Sequence, residues 1–240
     1  MSDFEYVIKP QFEVATRFSS DHYAVVVLNG KKGVIDRCGK FVLDPIFDIN
    51  QTVCVELGGK AATIDGFRIS MAKEDSEILP LQPNETPSLE IPFLETEYEK
   101  VFKVPLPNHT YTVKKCGKWG TVDKCGKTVI PFLYDDLVLA IGAGVCTLVT
   151  KDADGKYYVQ LADYNGNILC EQKFSAMFKF GPNKLAPAKS GRKWGYINTS
   201  GEWIIKPQFM YATTFADNQL AAVRSFGYHG KYGYIKQSDR

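Results

Sequence analysis

The chain has 240 residues, of which 45% are hydrophobic and 13% aromatic, so it can bury the core of one large β domain or two small ones. Its formal net charge of +2 gives no indication of a nucleic-acid, membrane or acidic partner. No stretch approaches the roughly 18 apolar residues of a membrane span, and the N-terminus lacks a signal-peptide pattern, so we expect a cytoplasmic protein.

The first predicted element is a fragment of a repeat. Residues 4–18 read FEYVIKPQFEVATRF and align with EWIIKPQFMYATTF at 202–215. The motif KKGVIDRCGKFVLDPIF follows at 31–47, and a degenerate copy, KAATID, begins at Lys60. The chain therefore begins partway through a unit that recurs along it.

An insertion follows the degenerate copy, at about residues 66–90. Three prolines and the acidic residues Glu74, Asp75 and Glu77 are typical of a loop. Because the insertion interrupts the repeat, we expect it to carry part of a binding surface, with these three carboxylates as candidates.

The later copies are closer to one another. They read KWGTVDKCGKTVIPFLY at 118–134, KYYVQLADYNGNILCEQKF at 156–174, KWGYINTSGEWIIKPQF at 193–209, and KYGYIK from Lys231. We place the glycine slot of successive copies at Gly33, Ala62, Gly120, Tyr158, Gly195 and Gly233. The first interval is short at 29 residues, the second is long at 58 because of the insertion, and the last three are 38, 37 and 38.

Each repeat predicts three strands joined by tight turns. Strand a is the KWGYIN element, and a glycine turn leads to apolar strand b. An aromatic residue and a bend come before strand c. That aromatic position is occupied by Phe12, Phe47, Tyr98, Tyr134, Phe174 and Phe209.

The two ends complement each other, because the chain starts at strand b and stops at strand a. Pairing these ends would complete a sixth repeat and remove two sheet edges. We therefore predict one all-β domain over residues 1–240: a closed six-bladed β-propeller-like toroid of three-stranded repeats, with the last blade completed by the N-terminal strands. An open β-repeat solenoid is the alternative.

The units around Trp119-Gly120 and Trp194-Gly195 resemble the WG repeat family of bacterial proteins. Tyr232-Gly233 and Lys32-Gly33 are softer matches, with Tyr and Lys in the tryptophan slot. The resemblance implies a scaffold for protein interaction, without shared catalytic residues. We therefore expect a non-catalytic module that binds another protein of unknown identity, in an unknown oligomeric state.

The aromatic residues of the motif have two interpretations. Structural packing of strand a is the first, with glycine allowing a close approach of backbones. The second is a ring of aromatic side chains at one mouth of a central channel that binds a small molecule or glycan, or supports an enzyme site. Its members would be Trp119, Tyr157, Trp194 and Tyr232.

The cysteines predict reduced, exposed turn thiols. Cys116 and Cys125 lie at opposite ends of one strand, too far apart for a disulfide. A redox role for Cys38, Cys116 and Cys125 stays open, because nearby lysines favour a thiolate. The same lysines look like a basic patch, but the strand divides them between two faces, so nucleic-acid binding is not expected.

The remaining motifs predict no catalytic or metal site and no cofactor. Asp152-Ala-Asp-Gly155 resembles the start of a calcium loop, but later ligands are missing, so a hairpin turn is favoured. His22, His109 and His229 have no partner nearby in sequence.

Overall fold

A computed structural model describes residues 4–58, 60–71, 94, 97–102, 104–227 and 229–237. This part of the chain forms 21 strands in five antiparallel sheets. No helix in it is long and apolar enough to cross a membrane.

The sheets are built from six units, which we number by their strands along the chain. Unit 1 contains β2 (Val14–Ala15), β3 (Ala24–Leu28), β4 (Lys31–Ile35) and β5 (Phe41–Phe47), and unit 2 contains β6 (Val53–Leu57), β7 (Lys60–Asp65) and β8 (Arg68–Met71). Unit 3 contains β9 (Lys100–Val101), β10 (Tyr111–Lys115), β11 (Lys118–Val122) and β12 (Thr128–Tyr134), and unit 4 contains β13 (Asp136–Gly142), β14 (Val145–Lys151) and β15 (Tyr157–Asp163).

The last two units share one seven-stranded sheet. Unit 5 contains β16 (Ala176–Met177), β17 (Ala186–Ser190), β18 (Lys193–Ile197) and the first part of β19 (Trp203–Ala212). Unit 6 contains the last part of β19, then β20 (Ala221–Ser225), β21 (Tyr232–Gln237) and the N-terminal strand β1 (Phe4–Phe12).

Strand b passes from one unit into the next, which corrects the prediction of three-stranded repeats for units 1, 3, 5 and 6, whereas units 2 and 4 have three strands. Phe209 in β19 is paired with Trp194 in unit 5 and also with Ser225 in unit 6. Likewise, Tyr134 is paired with Trp119 in unit 3, and the next residue, Asp135, donates its N–H to the Val149 carbonyl of unit 4 at 2.8 Å. The second half of strand b thus supplies an additional strand to the next unit, because its outward N–H and C=O groups pair with strand c there.

The two ends of the chain are paired, as the sequence predicts. Strands β1 and β21 are antiparallel, with Glu5 opposite Lys236 and Ile8 opposite Tyr234. The Tyr234 hydroxyl also donates to the Thr16 carbonyl at 2.9 Å. Unit 6 is therefore a composite of the first and last segments.

The core lies between neighbouring units. Apolar clusters join unit 1 to unit 2, unit 3 to unit 4, unit 4 to unit 5, unit 5 to unit 6, and unit 6 to unit 1. The described cluster around Tyr111 and Val113 lies in unit 3 with Leu94 and contains no residue of unit 2. The connection between units 2 and 3, residues 72–93, lies outside the description. The sheets are individually open, so the closed toroid stays a prediction.

The glycine of the motif is explained by a close crossing of strands a and b. A Cβ added to Gly120 would lie 2.5 Å from the Ile130 carbonyl oxygen, and one added to Gly33 would lie 2.7 Å from that of Leu43. The ladder slips in register at these crossings. Unit 2 has Ala62 in this slot, and its strands β7 and β8 pair without a slip.

Aspartate or asparagine after strand a builds the following turn. In unit 3, Asp123 Oδ1 accepts the N–H groups of Cys125 at 2.8 Å and Lys127 at 2.9 Å. Asp152 makes the same pair of bonds, to Asp154 and Lys156, so this segment is a hairpin turn, as predicted. The equivalent acceptors elsewhere are Asp36, Asp163 and Asn198.

Two alignments from the sequence are wrong. The insertion begins after Met71, since residues 68–71 form β8, the third strand of unit 2. In unit 4 the tryptophan slot belongs to Val159, which is paired with the aromatic Phe174; Tyr157 lies two residues earlier. A longer β14–β15 hairpin causes the shift, because Tyr157 is paired with Lys151 beyond the length of the other hairpins.

Candidate functional site

An aromatic patch, defined here as Phe178, Trp194, Tyr211 and Tyr232, lies where units 5 and 6 meet. Phe178 stacks on Trp194, with ring centroids 4.9 Å apart and an angle of 10° between the planes. Tyr211 meets both rings edge-on and continues to Tyr232 at 6.4 Å. Trp194 is buried, whereas Phe178 and Tyr211 are 38% and 37% exposed, so the patch has a buried base and an accessible surface.

Cationic side chains surround the patch. Lys189 Nζ lies 5.9 Å from the Trp194 ring centroid, and the Arg224 guanidinium lies 5.8 Å from that of Tyr232. Burial raises the pKa of Tyr232, Arg224 opposes this change, and the neighbouring Tyr211 adds to it. The phenol of Tyr232 is thus neutral at physiological pH, and the charge around the rings is positive.

Unit 5 differs from units 1, 3 and 6 in how its motif lysine is paired. Lys31, Lys118 and Lys231 form ion pairs with the acidic residue that follows the strand-b aromatic, at 2.5, 2.6 and 3.5 Å. In unit 5 that position is Met210, and Lys193 Nζ instead lies 5.8 Å from the ring centroid of Phe226. The missing acid leaves this region more basic than the equivalent faces.

A pocket of about 400 Å³ adjoins the patch. Two hydrogen bonds join the three units that form it: Thr214 Oγ1 donates to the Lys179 carbonyl at 3.0 Å, and Arg17 Nη2 donates to the Phe215 carbonyl at 3.0 Å. Its lining contains cations, hydroxyl groups and aromatic rings, and no carboxylate, histidine or cysteine: Arg17, Phe178, Lys179, Phe180, Tyr211, Thr213 and Thr214. Such groups suit binding of an anion beside an apolar group.

The repeat explains why these residues converge. Ala15, Met177 and Ala212 hold equivalent places in units 1, 5 and 6, because each is paired with the strand-c residue that faces the glycine slot. Arg17, Lys179 and Thr214 come two residues after them and are therefore equivalent too. Arg17 reaches the pocket because the N-terminal strand completes unit 6.

The aromatic residues proposed from sequence lie in different local environments. Trp194 and Tyr232 belong to the patch and are joined through Tyr211. Trp119 is half-buried opposite Tyr134 in unit 3. Tyr157 is 47% exposed beneath Lys151, whose Nζ lies 4.6 Å from its ring centroid. The candidate residues Glu74, Asp75 and Glu77 lie outside the described residues.

Lysine in the tryptophan slot of unit 1 has a structural role. Lys32 is 1% exposed, and its Nζ donates to the carbonyls of Ile49 at 3.2 Å and Gln51 at 2.5 Å. Burial lowers its pKa, and Asp65 partly opposes the effect. The ammonium group thus holds the loop into unit 2 by donating to two carbonyls, whereas the indole of tryptophan carries a single N–H donor.

The cysteines are free thiols in the structure. Cys38, Cys54, Cys116 and Cys125 are exposed, whereas Cys146 is buried and donates to the Asp163 carbonyl at 3.1 Å. Burial and the neighbouring Asp163 raise the pKa of Cys146 to about 12, so it remains a thiol at neutral pH. The redox role of Cys38, Cys116 and Cys125 stays a prediction.

The three histidines are turn residues. His22, His109 and His229 all have positive φ, between 49° and 67°. His22, His109, Lys184 and Gln219 all lie just before strand c, which marks a recurring turn position, whereas His229 lies in the turn between strands c and a of unit 6. Across the described ranges, no cluster of three or more His, Cys, Asp or Glu side chains could hold a metal ion.

Sequence reasoning missed Phe178, Lys179, Tyr211 and Arg17. A signal existed in the strings ATRF, MFKF and ATTF, which place aromatic and basic residues just after strand b in three units. It was weak because convergence of these residues depends on strand b changing sheets, which the repeat spacing alone does not reveal.

Three stretches of the chain, residues 2–31, 119–138 and 194–225, match the family model described as WG containing repeat. This match confirms the resemblance that the motifs indicate. No curated protein matches the chain.

Solved structures resemble the chain only loosely. BamB from Moraxella catarrhalis has a TM-score of 0.33 and 12% identity, over 94% of this chain and 70% of that one. A eukaryotic initiation factor has a TM-score of 0.36 and 11% identity, over 93% and 62%. Kluyveromyces lactis Hsv2p has a TM-score of 0.33 and 8% identity, over 90% and 71%. No function is carried over from likenesses of this size.

Proposed function

We propose that this chain, with WG repeats at three matched stretches, is a non-catalytic interaction module that presents the aromatic patch to a protein partner in the cytoplasm. The observation that carries the proposal is the exposed surface of Phe178 and Tyr211 over the buried ring of Trp194. A closed ring of six units, with unit 2 meeting unit 3, would be the scaffold for this surface.

The geometry suits a binding hot spot. Aromatic and arginine side chains dominate the energy of protein interfaces, especially where a rigid base supports them. Trp194 supplies this base, since it is fixed by stacking on Phe178 and by edge contact with Tyr211. The rings are therefore preorganised, and binding costs little side-chain entropy.

The repeats keep this surface away from the residues that build the fold. The crossing glycines of units 1, 3, 5 and 6 and turn residues such as Asp123 make backbone contacts, so the exposed faces of the rings are not needed for the sheets. Reduced, exposed thiols such as Cys116 suit a reducing compartment, which supports a cytoplasmic setting.

A second candidate is a small-molecule or glycan-binding protein. The pocket of about 400 Å³ favours it, because this volume lies within the range of small-ligand sites. Aromatic rings and the hydroxyls of Thr213 and Thr214 could stack on and hydrogen-bond to a sugar. Glycan-array binding that depends on Thr213 and Tyr211 would favour this candidate over a protein partner.

The test is quantitative affinity purification from the source cells, with the full chain as bait. A Phe178→Ala, Tyr211→Ser bait should lose the specific partner, whereas a Phe67→Ala control, which removes a 41% exposed aromatic from unit 2, should retain it. A third bait with Glu74, Asp75 and Glu77 replaced by alanine tests the predicted role of the insertion. Retention of every partner by the patch variant, with its fold confirmed by circular dichroism, would refute the proposal.

A further inference from the structure

We propose that the pocket beside the aromatic patch receives an acidic side chain of the protein partner, held between Arg17 and Lys179, while an adjacent aromatic or aliphatic side chain packs on Phe178 and Tyr211. This inference rests on the proposed function and adds the chemistry of the recognised segment: a short acidic–apolar stretch of polypeptide.

The charge of the pocket carries the first step. Two of its lining side chains, Arg17 and Lys179, are cationic, and its lining contains no carboxylate. Lys189, Lys193 and Arg224 lie against the neighbouring rings, and the acid that pairs with the motif lysine in three other units is replaced by Met210. The pocket is thus complementary to negative charge.

The second step concerns how Arg17 is held. Its Nη2 donates to the Phe215 carbonyl at 3.0 Å, a bond that links unit 1 to unit 6. Guanidinium carries five N–H donors in a rigid plane, so this bond fixes the orientation of the group and leaves an edge that can bind a carboxylate. An ammonium such as Lys179 adds charge without the same directional requirement.

The third step concerns the size and walls of the pocket. A space of about 400 Å³ accommodates one or two side chains, not a folded surface. The walls include Phe178, Phe180 and Tyr211, which offer apolar contact next to the cations. A segment that alternates an acid with an apolar residue fills both parts of this site.

The fourth step is that the site is specific to three of the six units. Units 5, 6 and 1 supply Lys179, Thr214 and Arg17 from equivalent positions, so the repeat places them side by side. The basic and aromatic side chains are therefore a local specialisation of a repeated frame, as expected for one recognition site on a pseudo-symmetric scaffold.

The experiment is selection of a random peptide display library on the immobilised full chain. The inference predicts enrichment of peptides with Asp or Glu within two residues of an aromatic or aliphatic residue. A fluorescein-labelled peptide of the enriched sequence is then titrated by anisotropy. Binding should weaken about tenfold in Arg17→Gln and in Lys179→Gln, and should stay unchanged in Lys124→Gln, an exposed turn lysine of unit 3.

Raising the salt concentration should weaken binding to the wild type more than to the Arg17→Gln, Lys179→Gln double variant. Selection of neutral or basic peptides, selection of none, or unchanged binding in the double variant would overturn the inference. In those cases the Phe178→Ala, Tyr211→Ser bait should still lose its partner in the affinity purification. Failure of this inference is therefore distinguishable from failure of the proposed function.

Discussion

Gly233 and Pro10, near opposite ends of the chain, lie against each other in the composite unit. A Cβ added to Gly233 would lie 2.6 Å from the Pro10 nitrogen and 2.5 Å from the Ile8 carbonyl oxygen. Proline fits this crossing because the slipped register leaves no ladder partner for an N–H there. Gly33 lies against Pro45 in the same way within unit 1. The two chain ends are therefore joined by the same glycine–proline strand crossing that joins strands a and b inside a unit.

Replacing Gly233 by alanine should therefore destabilise the whole protein. The added methyl group meets backbone atoms that cannot move without breaking the β1–β21 pairing, so we expect a loss of about 1–3 kcal/mol in the free energy of unfolding. Urea unfolding monitored by tryptophan fluorescence measures it. Gly227→Ala is the matched control, because the nearest atom to its Cβ would be 3.9 Å away. Equal stability of the two variants would contradict the crossing.

The buried tyrosines Tyr196 and Tyr234 should make the protein sensitive to alkali. Burial raises the pKa of both phenols above their ordinary value near 10. The stability that this shift contributes is complete below pH about 10 and is lost as pH rises toward the folded-state pKa, because the unfolded state releases its proton first. Each tyrosine should steepen the loss by up to about 1.4 kcal/mol per pH unit.

The Tyr196→Phe and Tyr234→Phe variants test this sensitivity. At pH 7 each should be about 1 kcal/mol less stable, since each loses a hydroxyl bond, to the Thr213 carbonyl at 2.8 Å or the Thr16 carbonyl at 2.9 Å. Between pH 10 and 11, within roughly one pH unit above the ordinary tyrosine pKa, the free energy of unfolding of each variant should fall less steeply than that of the wild type. If the free energy of unfolding depends on pH in the same way in the variants and the wild type, the alkaline loss of stability does not come from these tyrosines.

Asn198 should stabilise the a–b turn of unit 5 through both ends of its side-chain amide, since its Nδ2 donates to Glu202 Oε2 at 2.8 Å. Its Oδ1 accepts the N–H groups of Ser200 and Glu202, both at 3.0 Å. Asn198→Ala should lower the free energy of unfolding by about 1–2 kcal/mol. Asn198→Asp should retain the part of the stability that comes from the oxygen, because aspartate performs this role in units 1, 3 and 4, but it loses the bond from Nδ2 to Glu202. An aspartate variant that is as unstable as the alanine variant would contradict this role of the side-chain oxygen.

Asp152 should stabilise a hairpin turn and should not bind calcium. Its carboxylate accepts the N–H groups of Asp154 and Lys156, and the bond from Lys156 is the main cause of its lowered pKa. The turn should therefore weaken as pH falls through the folded-state pKa of Asp152, and Asp152→Ala should destabilise the protein more than Asp154→Ala. Millimolar CaCl₂ should leave the melting temperature unchanged relative to EDTA, and an increase would show a metal site in this turn.

The sequence predicts the repeat and the pairing of the ends well, because both follow from local pattern. The KWG and KPQF strings mark strands whose close crossing needs glycine and proline at fixed places, as Gly195 and Pro207 show. Unit 4 is misaligned because its hairpin is longer and a tyrosine pair imitates the motif. The turn residue Asp163, four positions after Val159, is the better landmark, since its hydrogen bonds fix the turn.

The site was less predictable than the fold. Trp194 and Tyr232 were identified from the motif, but their grouping depends on Tyr211, which belongs to the half of strand b that enters the next sheet. The pocket depends further on Arg17, which arrives only because the N-terminal strand completes unit 6. Such convergence follows from tertiary pairing and has no signature in any one repeat.

Pairing of the chain ends is the central claim, because it both completes unit 6 and brings Arg17 to the pocket. The most direct measurement is an NMR NOESY spectrum of the full chain, assigned for strands β1 and β21. Cross-strand contacts between Glu5 and Lys236 and between Ile8 and Tyr234 are predicted, from the antiparallel register. Their absence from well-resolved signals of folded protein would contradict the composite unit and, with it, the assembly of the site.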